Sequence, residues 1–178
     1  MPSMPSPSDT WTRRRLLAAI GGVAAVWLTP HGTAHAAEDS LGSLGLPASH
    51  WKPLVSAAAY AVLFNEDTER SGTSPLNHEK RAGTYICAAC YQPLFSSEKK
   101  FDSGTGWPSF WAPLDDAIGT KRDFKLVFPR TEYHCARCGG HQGHVFDDGP
   151  APTGLRYCNN GVALRFIADG EALPPLRG

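Results

Sequence analysis

The apolar positions change spacing near residue 84, and this change divides the chain into a helical part and a strand-rich part. Over residues 51–64 they recur at helical spacing, which predicts one helix with Pro53 in its first turn. Beyond it they form short pieces between Gly, Pro and Asp turns, which predict strands over residues 84–87, 124–129, 131–135, 144–146, 156–158 and 162–167. We therefore predict one mainly β domain over residues 51–178 with a short N-terminal helical extension.

The composition excludes several classes of protein. The 178 residues are 42% hydrophobic and 19% charged, which is typical of a globular chain rather than a disordered one. The 17 basic and 17 acidic side chains cancel, and no basic cluster exists beyond residues 13–15, so nucleic-acid binding is not expected. No apolar run approaches the roughly 18 residues of a membrane-spanning helix, which excludes a polytopic membrane protein.

Residues 1–36 have the pattern of an export signal. Arginines at 13–15 precede a mild, glycine-interrupted apolar stretch over 16–29, and the small-x-small sequence at 34–36 predicts cleavage before Ala37. Paired arginines ahead of such a stretch resemble a twin-arginine signal. We expect an exported protein, periplasmic or otherwise extracytoplasmic, with no stable membrane association after cleavage. An ordinary secretory signal and an uncleaved anchor remain as alternatives.

A flexible leader is predicted between this signal and the domain. Residues 37–50 form it, because 37–47 are rich in Gly, Ser and Ala, and we expect the leader to pack against little.

Four of the five cysteines form two C-x-x-C pairs, Cys87 with Cys90 and Cys135 with Cys138. Each pair is flanked by turn residues, so that both of its sulfurs can face one ion, and four thiolates match tetrahedral zinc. A structural zinc ion contributes roughly 10 to 16 kcal/mol of apparent folding free energy in small sites. We predict one such ion joining two hairpin turns.

Other uses of these cysteines remain open. Two disulfides suit an oxidising compartment, and a C-x-x-C pair can be a redox-active dithiol. His141 and His144 continue the three-residue spacing of the second pair and could complete a two-Cys, two-His site with it. That arrangement would leave the first pair without a partner, so we favour the four-cysteine site.

Cys158 is the cysteine left over. If its segment is extended, Arg156, Cys158 and Asn160 project from one face, because alternate residues of a strand share a face. A positive neighbour lowers the pKa of a thiol and enriches the nucleophilic thiolate. We therefore predict a reactive cysteine, with a buried and inert one as the alternative.

Five segments, in this order and spacing, resemble the B-type methionine sulfoxide reductases. They are Phe-Asp-Ser-Gly-Thr-Gly-Trp-Pro-Ser-Phe (101–110), Arg-Thr-Glu (130–132), Cys-Ala-Arg-Cys-Gly (135–139), His-Val-Phe-Asp-Asp-Gly-Pro (144–150) and Pro-Thr-Gly-Leu-Arg-Tyr-Cys (152–158). The resemblance extends over residues 68–167. It implies two antiparallel sheets in a tent-like core, with the four-cysteine zinc site away from the active centre.

The resemblance also implies a reaction, the reduction of methionine-R-sulfoxide to methionine, chiefly in proteins. Cys158 matches the attacking thiolate, which is left as a sulfenic acid. His144 and His141 match histidines that bind and protonate the departing oxygen, and Asp148 matches the acidic residue that orients them. An alternative for Asp148 is a cap on the turn at 147–150.

Three further residues match the neighbourhood of the nucleophile. Arg156 and Asn160 match polar groups beside it, and Trp107 matches the aromatic wall that receives the methyl group of the substrate. A plain core position is the alternative for Trp107.

The chain departs from the family at Thr105, where many members carry a second, resolving cysteine. With no other free cysteine, we expect an external thiol, such as a thioredoxin-like protein, to reduce the sulfenic acid directly. Gly161 stands where Ser is common. Two competing interpretations are a zinc-stabilised, non-catalytic binding module and a cysteine hydrolase that uses Cys158, a histidine and Asp148.

Overall fold

The computed structural model describes residues 42–124 and 129–178, which fold mainly into antiparallel strands. The strands are β1 (Gly83–Cys87), β2 (Pro93–Ser96), β3 (Lys100–Phe101), β4 (Ser109–Phe110), β5 (Ile118–Asp123), β6 (Arg130–Cys135), β7 (His141–Phe146), β8 (Arg156–Asn159) and β9 (Leu164–Ala168). They form a three-stranded sheet, β2-β1-β9, and a six-stranded sheet, β3-β4-β8-β7-β6-β5. The predicted mainly β fold with two antiparallel sheets is confirmed. The predicted export signal and residues 37–41 of the leader lie outside the described residues.

Aromatic rings from both sheets fill the space between them. Phe95 of the small sheet stacks on Phe110 of the large one with ring centroids 4.2 Å apart, and Tyr85 meets Phe110 edge-on at 4.9 Å. Tyr133 on β6 of the large sheet contacts Phe95 edge-on, with ring centroids 6.1 Å apart. All four side chains are fully buried, so the burial of large apolar surface holds the two sheets together.

The helical extension differs from the single helix predicted over 51–64. The structure has a short α1 (Ala48–Trp51) and a longer α2 (Ala57–Asn65). Pro53 has no amide hydrogen with which to continue α1, and the Ser56 hydroxyl accepts from the backbone N–H of Ala59 at 3.1 Å to cap the start of α2. Neither helix in the described part of the chain is long and apolar enough to cross a membrane.

Several predicted strand boundaries also change. The strand predicted over 162–167 begins later, because Gly161–Ala163 forms a 3₁₀ turn ahead of β9. Residues 125–128 of the strand predicted over 124–129 lie outside the described residues, and neither end residue belongs to a strand. The sequence missed β5, an edge strand whose middle residues are exposed and polar, so it shows no apolar alternation.

The described part of the leader packs onto the domain, so the expectation that it packs against little is wrong there. The backbone N–H groups of Ser43 and Leu44 donate to the carbonyls of Ala136 and Arg137, both at 3.0 Å. Gly42 approaches this turn so closely that a Cβ on it would lie 2.4 Å from the nitrogen of Gly139. These contacts place the leader against the turn that carries the second cysteine pair.

Candidate active site and metal centre

Strand register aligns a row of polar side chains across the large sheet. Cys158 on β8 lies opposite Ser109 on β4 and opposite His144 on β7. The row continues through Glu132 on β6 to Lys121 on β5. Directly opposed residues of antiparallel strands have Cβ atoms about 4.5 to 5.5 Å apart and share a face. The fold therefore places the sulfur of Cys158 beside an imidazole, although 14 positions of sequence separate the two residues.

A small cavity opens at this row. Its volume is about 110 Å³, which suits the end of one side chain rather than a small-molecule ligand, since such ligands occupy roughly 300 to 1,000 Å³. The lining residues are Thr68, Trp107, Arg130, Gly143, His144, Phe146, Cys158, Asn159 and Asn160. Of the seven side chains predicted from the sequence to act on or bind the substrate, four line this cavity: Trp107, His144, Cys158 and Asn160.

The backbone of Glu69 positions two of these groups. The indole Nε1 of Trp107 donates to the carbonyl of Glu69 at 2.8 Å, and the Asn160 Oδ1 accepts from the N–H of Glu69 at 2.9 Å. Asn160 also donates through Nδ2 to the carbonyl of Gln142 at 3.0 Å. With its hydrogen bonds made to backbone, Asn160 fixes the cavity wall, and the ring of Trp107 presents an apolar surface to the cavity.

The two histidines occupy different positions. His144 lines the cavity, whereas His141 does not. His141 is 3% exposed, and its ring centroid lies 5.4 Å from that of His144. Burial lowers the pKa of His144, and its hydrogen bond to Asp123 opposes that effect. At neutral pH the imidazole that faces the cavity is therefore the neutral form, which can accept a proton.

Asp148 does not orient the histidines, so that prediction is wrong. Its carboxylate accepts two hydrogen bonds from Arg156, to Nε at 2.7 Å and to Nη2 at 2.9 Å. The carboxylates beside the histidines are others: Asp123 Oδ2 lies 2.8 Å from His144 Nε2, and Glu132 Oε1 lies 3.0 Å from His141 Nδ1. Asp148 thus holds the cation that flanks the nucleophile instead of the imidazoles.

Sequence reasoning missed Asp123 and Glu132 for different reasons. Glu132 stands in the motif at 130–132, but no role follows from its position in the chain alone. Asp123 ends a strand that the sequence did not predict, and 21 positions separate it from His144. Only the pairing of β5, β6 and β7 brings the two together.

The half-buried Cys158 is less acidic than the sequence suggested. Burial raises the pKa of its thiol, and the charge of Arg156 together with hydrogen bonds from Thr105 and Arg156 lowers it without overcoming the burial. Arg156 therefore lowers the pKa of Cys158 as predicted, but the prediction that Cys158 is enriched in thiolate is wrong. Cys158 is mainly a protonated thiol at neutral pH, and its proton must be removed when it reacts.

Alkylation kinetics test this account of Cys158. Iodoacetamide should react slowly with it at pH 7, and the rate should rise with pH through a midpoint above that of an ordinary thiol, because only the thiolate reacts. Arg156→Met should slow alkylation at pH 7 by roughly three- to tenfold, since the stabilising charge is lost. Lys52→Met, the same loss of charge at an exposed helix end, is the control and should change nothing. A midpoint below the ordinary thiol value would contradict the account.

Thr105 lies at the nucleophile, where a family member would carry its resolving cysteine. Its hydroxyl is close enough to lower the pKa of the Cys158 thiol by hydrogen bonding, and it lies 2.8 Å from the hydroxyl of Ser103, which is in turn 2.8 Å from that of Ser109. Three hydroxyls therefore connect the sulfur to the neighbouring strand. A side chain at position 105 reaches Cys158, but threonine cannot form a disulfide with it.

The four other cysteines meet where the two sheets approach each other. Each pair begins at the last residue of a strand, Cys87 of β1 or Cys135 of β6, and ends in the turn that follows, and all four side chains are buried. Their sulfurs lie within 4.8 Å of one another, with Cys87 to Cys138 at 3.7 Å and Cys90 to Cys135 at 3.5 Å. These distances exclude a disulfide, whose sulfurs are about 2.05 Å apart. They match the roughly 3.8 Å edge of a tetrahedron of sulfurs around an ion at about 2.3 Å.

The surroundings of the four sulfurs also fit a cation. Hydrogen bonding to Cys135 raises the pKa of Cys87 and Cys138 and lowers that of Cys90, so the cluster favours some thiolates at the expense of others, and all four can ionise together only with a positive ion among them. Gln142 Nε2 donates to the sulfur of Cys87 at 3.6 Å, which is the type of contact that orients a metal ligand. The predicted four-cysteine metal site is thus confirmed as a geometry that can hold one ion.

Comparison with known proteins agrees with this site. Residues 55–168 match the family model described as the SelR domain. A peptide methionine sulfoxide reductase MsrB of Pseudomonas putida is 53% identical over 117 residues, which cover 65% of this chain and 88% of that protein. The enzyme of the same name from Hahella chejuensis is 49% identical over 124 residues, covering 68% and 89%. One from Methanosarcina barkeri is 49% identical over 122 residues, covering 68% and 86%.

Proposed function

Because the chain belongs to the SelR-domain family of B-type methionine sulfoxide reductases and is a peptide-methionine (R)-S-oxide reductase, we propose that Cys158 takes the sulfoxide oxygen itself. The observation that carries this proposal is the pairing of Cys158 with His144 across β8 and β7, at a cavity walled by Trp107. A nucleophilic sulfur, a proton-carrying group and an apolar wall are what the reaction requires. The non-catalytic binding module and the cysteine hydrolase are excluded as interpretations of this family member.

The first half-reaction oxidises Cys158 by two electrons. Neutral His144 accepts the thiol proton, the sulfur attacks the sulfoxide, an S–O bond forms on Cys158 and the S–O bond of the substrate breaks. The proton passes to the transferred oxygen, so that methionine leaves and Cys158 remains as a sulfenic acid. Trp107 selects the methyl end of the substrate, because an apolar wall favours S–CH₃ over a polar group.

The second half-reaction returns Cys158 to the thiol with two electrons from an external reductant. A thiol of a thioredoxin-like protein attacks the sulfenic sulfur, water leaves, and a mixed disulfide forms. The second thiol of that protein then breaks the mixed disulfide. Thr105 at the resolving position and the burial of the other four cysteines support direct reduction.

Trapping the oxidised enzyme tests this route. After one turnover without reductant, a reagent specific for sulfenic acids should label Cys158, and peptide mapping should find no disulfide within the chain. Adding a thioredoxin whose resolving cysteine is replaced by serine should give a mixed disulfide at Cys158. An internal disulfide from Cys158 to any cysteine of the two pairs would refute direct reduction.

We also propose that the ion held by the four cysteines is zinc, with a structural role. Four thiolates in tetrahedral spacing are typical of zinc, and all four positions of the site are taken by protein, which leaves none for substrate. Export through the signal over residues 1–36 to the periplasm remains part of the same proposal. Oxidised extracytoplasmic proteins would then be the substrates.

The choice of epimer tests the proposed function as a whole. With a chemical dithiol as reductant, the enzyme should convert the R epimer of a methionine sulfoxide peptide and leave the S epimer unchanged. Equal conversion of both epimers, or of neither, would contradict the proposed function. The assay needs no assumption about the physiological reductant.

A further inference from the structure

Asp123 and Arg130 close the β5–β6 hairpin beside the cavity, and neither has a role in the chemistry described above. They are the last register pair of these two strands. Asp123 is 6% exposed, and one of its oxygens, Oδ2, lies 2.6 Å from Arg130 Nη2 and 2.8 Å from His144 Nε2. Arg130 and His144 both line the cavity. One buried carboxylate thus connects two groups that face the substrate.

We propose that Asp123 is the positioning residue of His144, fixing the imidazole with its proton on Nε2 and leaving Nδ1 as the atom that accepts and returns the reaction's proton. This inference rests on the proposed function, in which His144 handles that proton. It assigns the carboxylate partner to the end of β5, a position that none of the five motifs quoted from the sequence contains.

Hydrogen-bond chemistry determines the tautomer. An ionised carboxylate can only accept hydrogen bonds, so His144 Nε2 must be the donor across the 2.8 Å contact. The neutral ring then carries its lone pair on Nδ1. Arg130 stabilises the carboxylate in its ionised form by pairing with the same oxygen. The ion pair of Asp123 with Arg130 therefore keeps the proton on His144 Nε2 whatever occupies the cavity.

The charges around His144 define how its titration should respond. Asp123 faces it from β5, Arg130 and Glu132 from β6, His141 from β7 and Cys158 from β8. Asp123 favours the protonated ring, whereas Arg130 and burial disfavour it. Removing the charge of Asp123 should therefore leave Arg130 uncompensated and shift the titration of His144 to lower pH.

Two matched variants, Asp123→Asn and Asp148→Asn, test the proposal on the metal-loaded full domain. Each replaces one carboxylate by an amide, and ¹⁵N NMR of the histidine rings reads the tautomer and titration of His144 directly. Asp123→Asn should shift the titration of His144 to lower pH, because the negative charge is lost, and weaken the preference for Nε2–H, because an amide can present either an acceptor or a donor to that nitrogen. It should also reduce kcat by roughly 10- to 100-fold with little change in KM. Asp148→Asn should leave the ring signals of His144 as in the wild type, since its partner is Arg156.

The conservative variant Asp123→Glu keeps the carboxylate and should restore the Nε2–H signal at least in part. Unchanged circular dichroism and metal content in all variants exclude a folding defect. Wild-type signals for His144 in Asp123→Asn, or an Nδ1–H ring in the wild type, would overturn the proposal while leaving the reductase activity intact. A wild type inactive on methionine-R-sulfoxide would instead refute the proposed function, and the NMR arm would still decide whether Asp123 fixes the ring.

Discussion

Cys158→Ser should lose methionine sulfoxide reduction by roughly a thousandfold or more, because losing a catalytic nucleophile removes the reaction path rather than one stabilising contact. Serine keeps the size of the side chain but cannot accept the oxygen as a stable sulfenic acid. Half-buried Cys158 contributes little to the core, so the melting temperature should change by only a few degrees. Turnover of a methionine-R-sulfoxide peptide with a chemical dithiol measures the loss.

Tyr157→Phe is the matched control for this substitution. It alters the neighbouring residue of β8, which faces the opposite side of the sheet and contacts Phe95 and Tyr133. Its activity should stay close to that of the wild type, because the sulfur, His144 and the cavity wall are untouched. A Cys158→Ser enzyme that retained a tenth of wild-type turnover would show that another group performs the reaction.

Cys135→Ser should unfold most of the domain at 25 °C. A structural zinc site contributes roughly 10 to 16 kcal/mol, which equals or exceeds the roughly 5 to 15 kcal/mol by which a typical domain is stable. An ion bound by the four cysteines would join a turn of the small sheet to a turn of the large one, so its loss would leave only the aromatic packing to connect the two sheets. Metal content by mass spectrometry and far-UV circular dichroism should both show the effect.

Cys158→Ser is the matched control for Cys135→Ser. Both variants replace one cysteine by serine, yet only the ligand substitution should release the ion. A strong chelator should act on the wild type as Cys135→Ser does, and adding zinc should restore the fold. A Cys135→Ser protein that stays folded without metal would show that the aromatic core alone holds the sheets together.

The sequence predicted the chemistry of the site better than its geometry. The two C-x-x-C pairs and the unpaired Cys158 could be found from spacing and count, which favoured a four-cysteine site over disulfides or a redox-active dithiol. Position 105 could be located because it lies within a long motif, and its hydroxyl lowers the pKa of Cys158 by hydrogen bonding. These features depend on neighbours in the chain or on covalent chemistry.

The features that the sequence could not predict depend on strand pairing. Asp148 is four residues from His144 in sequence, but a turn directs it to Arg156, whereas Asp123 reaches His144 through the register of three strands. The prediction of an acidic Cys158 thiol was wrong for a related reason, because the sequence shows the nearby charge of Arg156 but not the depth at which the sulfur is buried. The α1–α2 break shows the opposite case, since Pro53 and Ser56 contained the signal and helical periodicity obscured it.

A single-turnover experiment tests the central claim most directly. Metal-replete enzyme is mixed with excess methionine-R-sulfoxide in the absence of any reductant, and methionine and the mass of the peptide that contains Cys158 are both measured. The account predicts one methionine per enzyme and a gain of one oxygen atom on Cys158. Methionine formed without any change at Cys158, or oxidation at Cys158 without methionine, would contradict it.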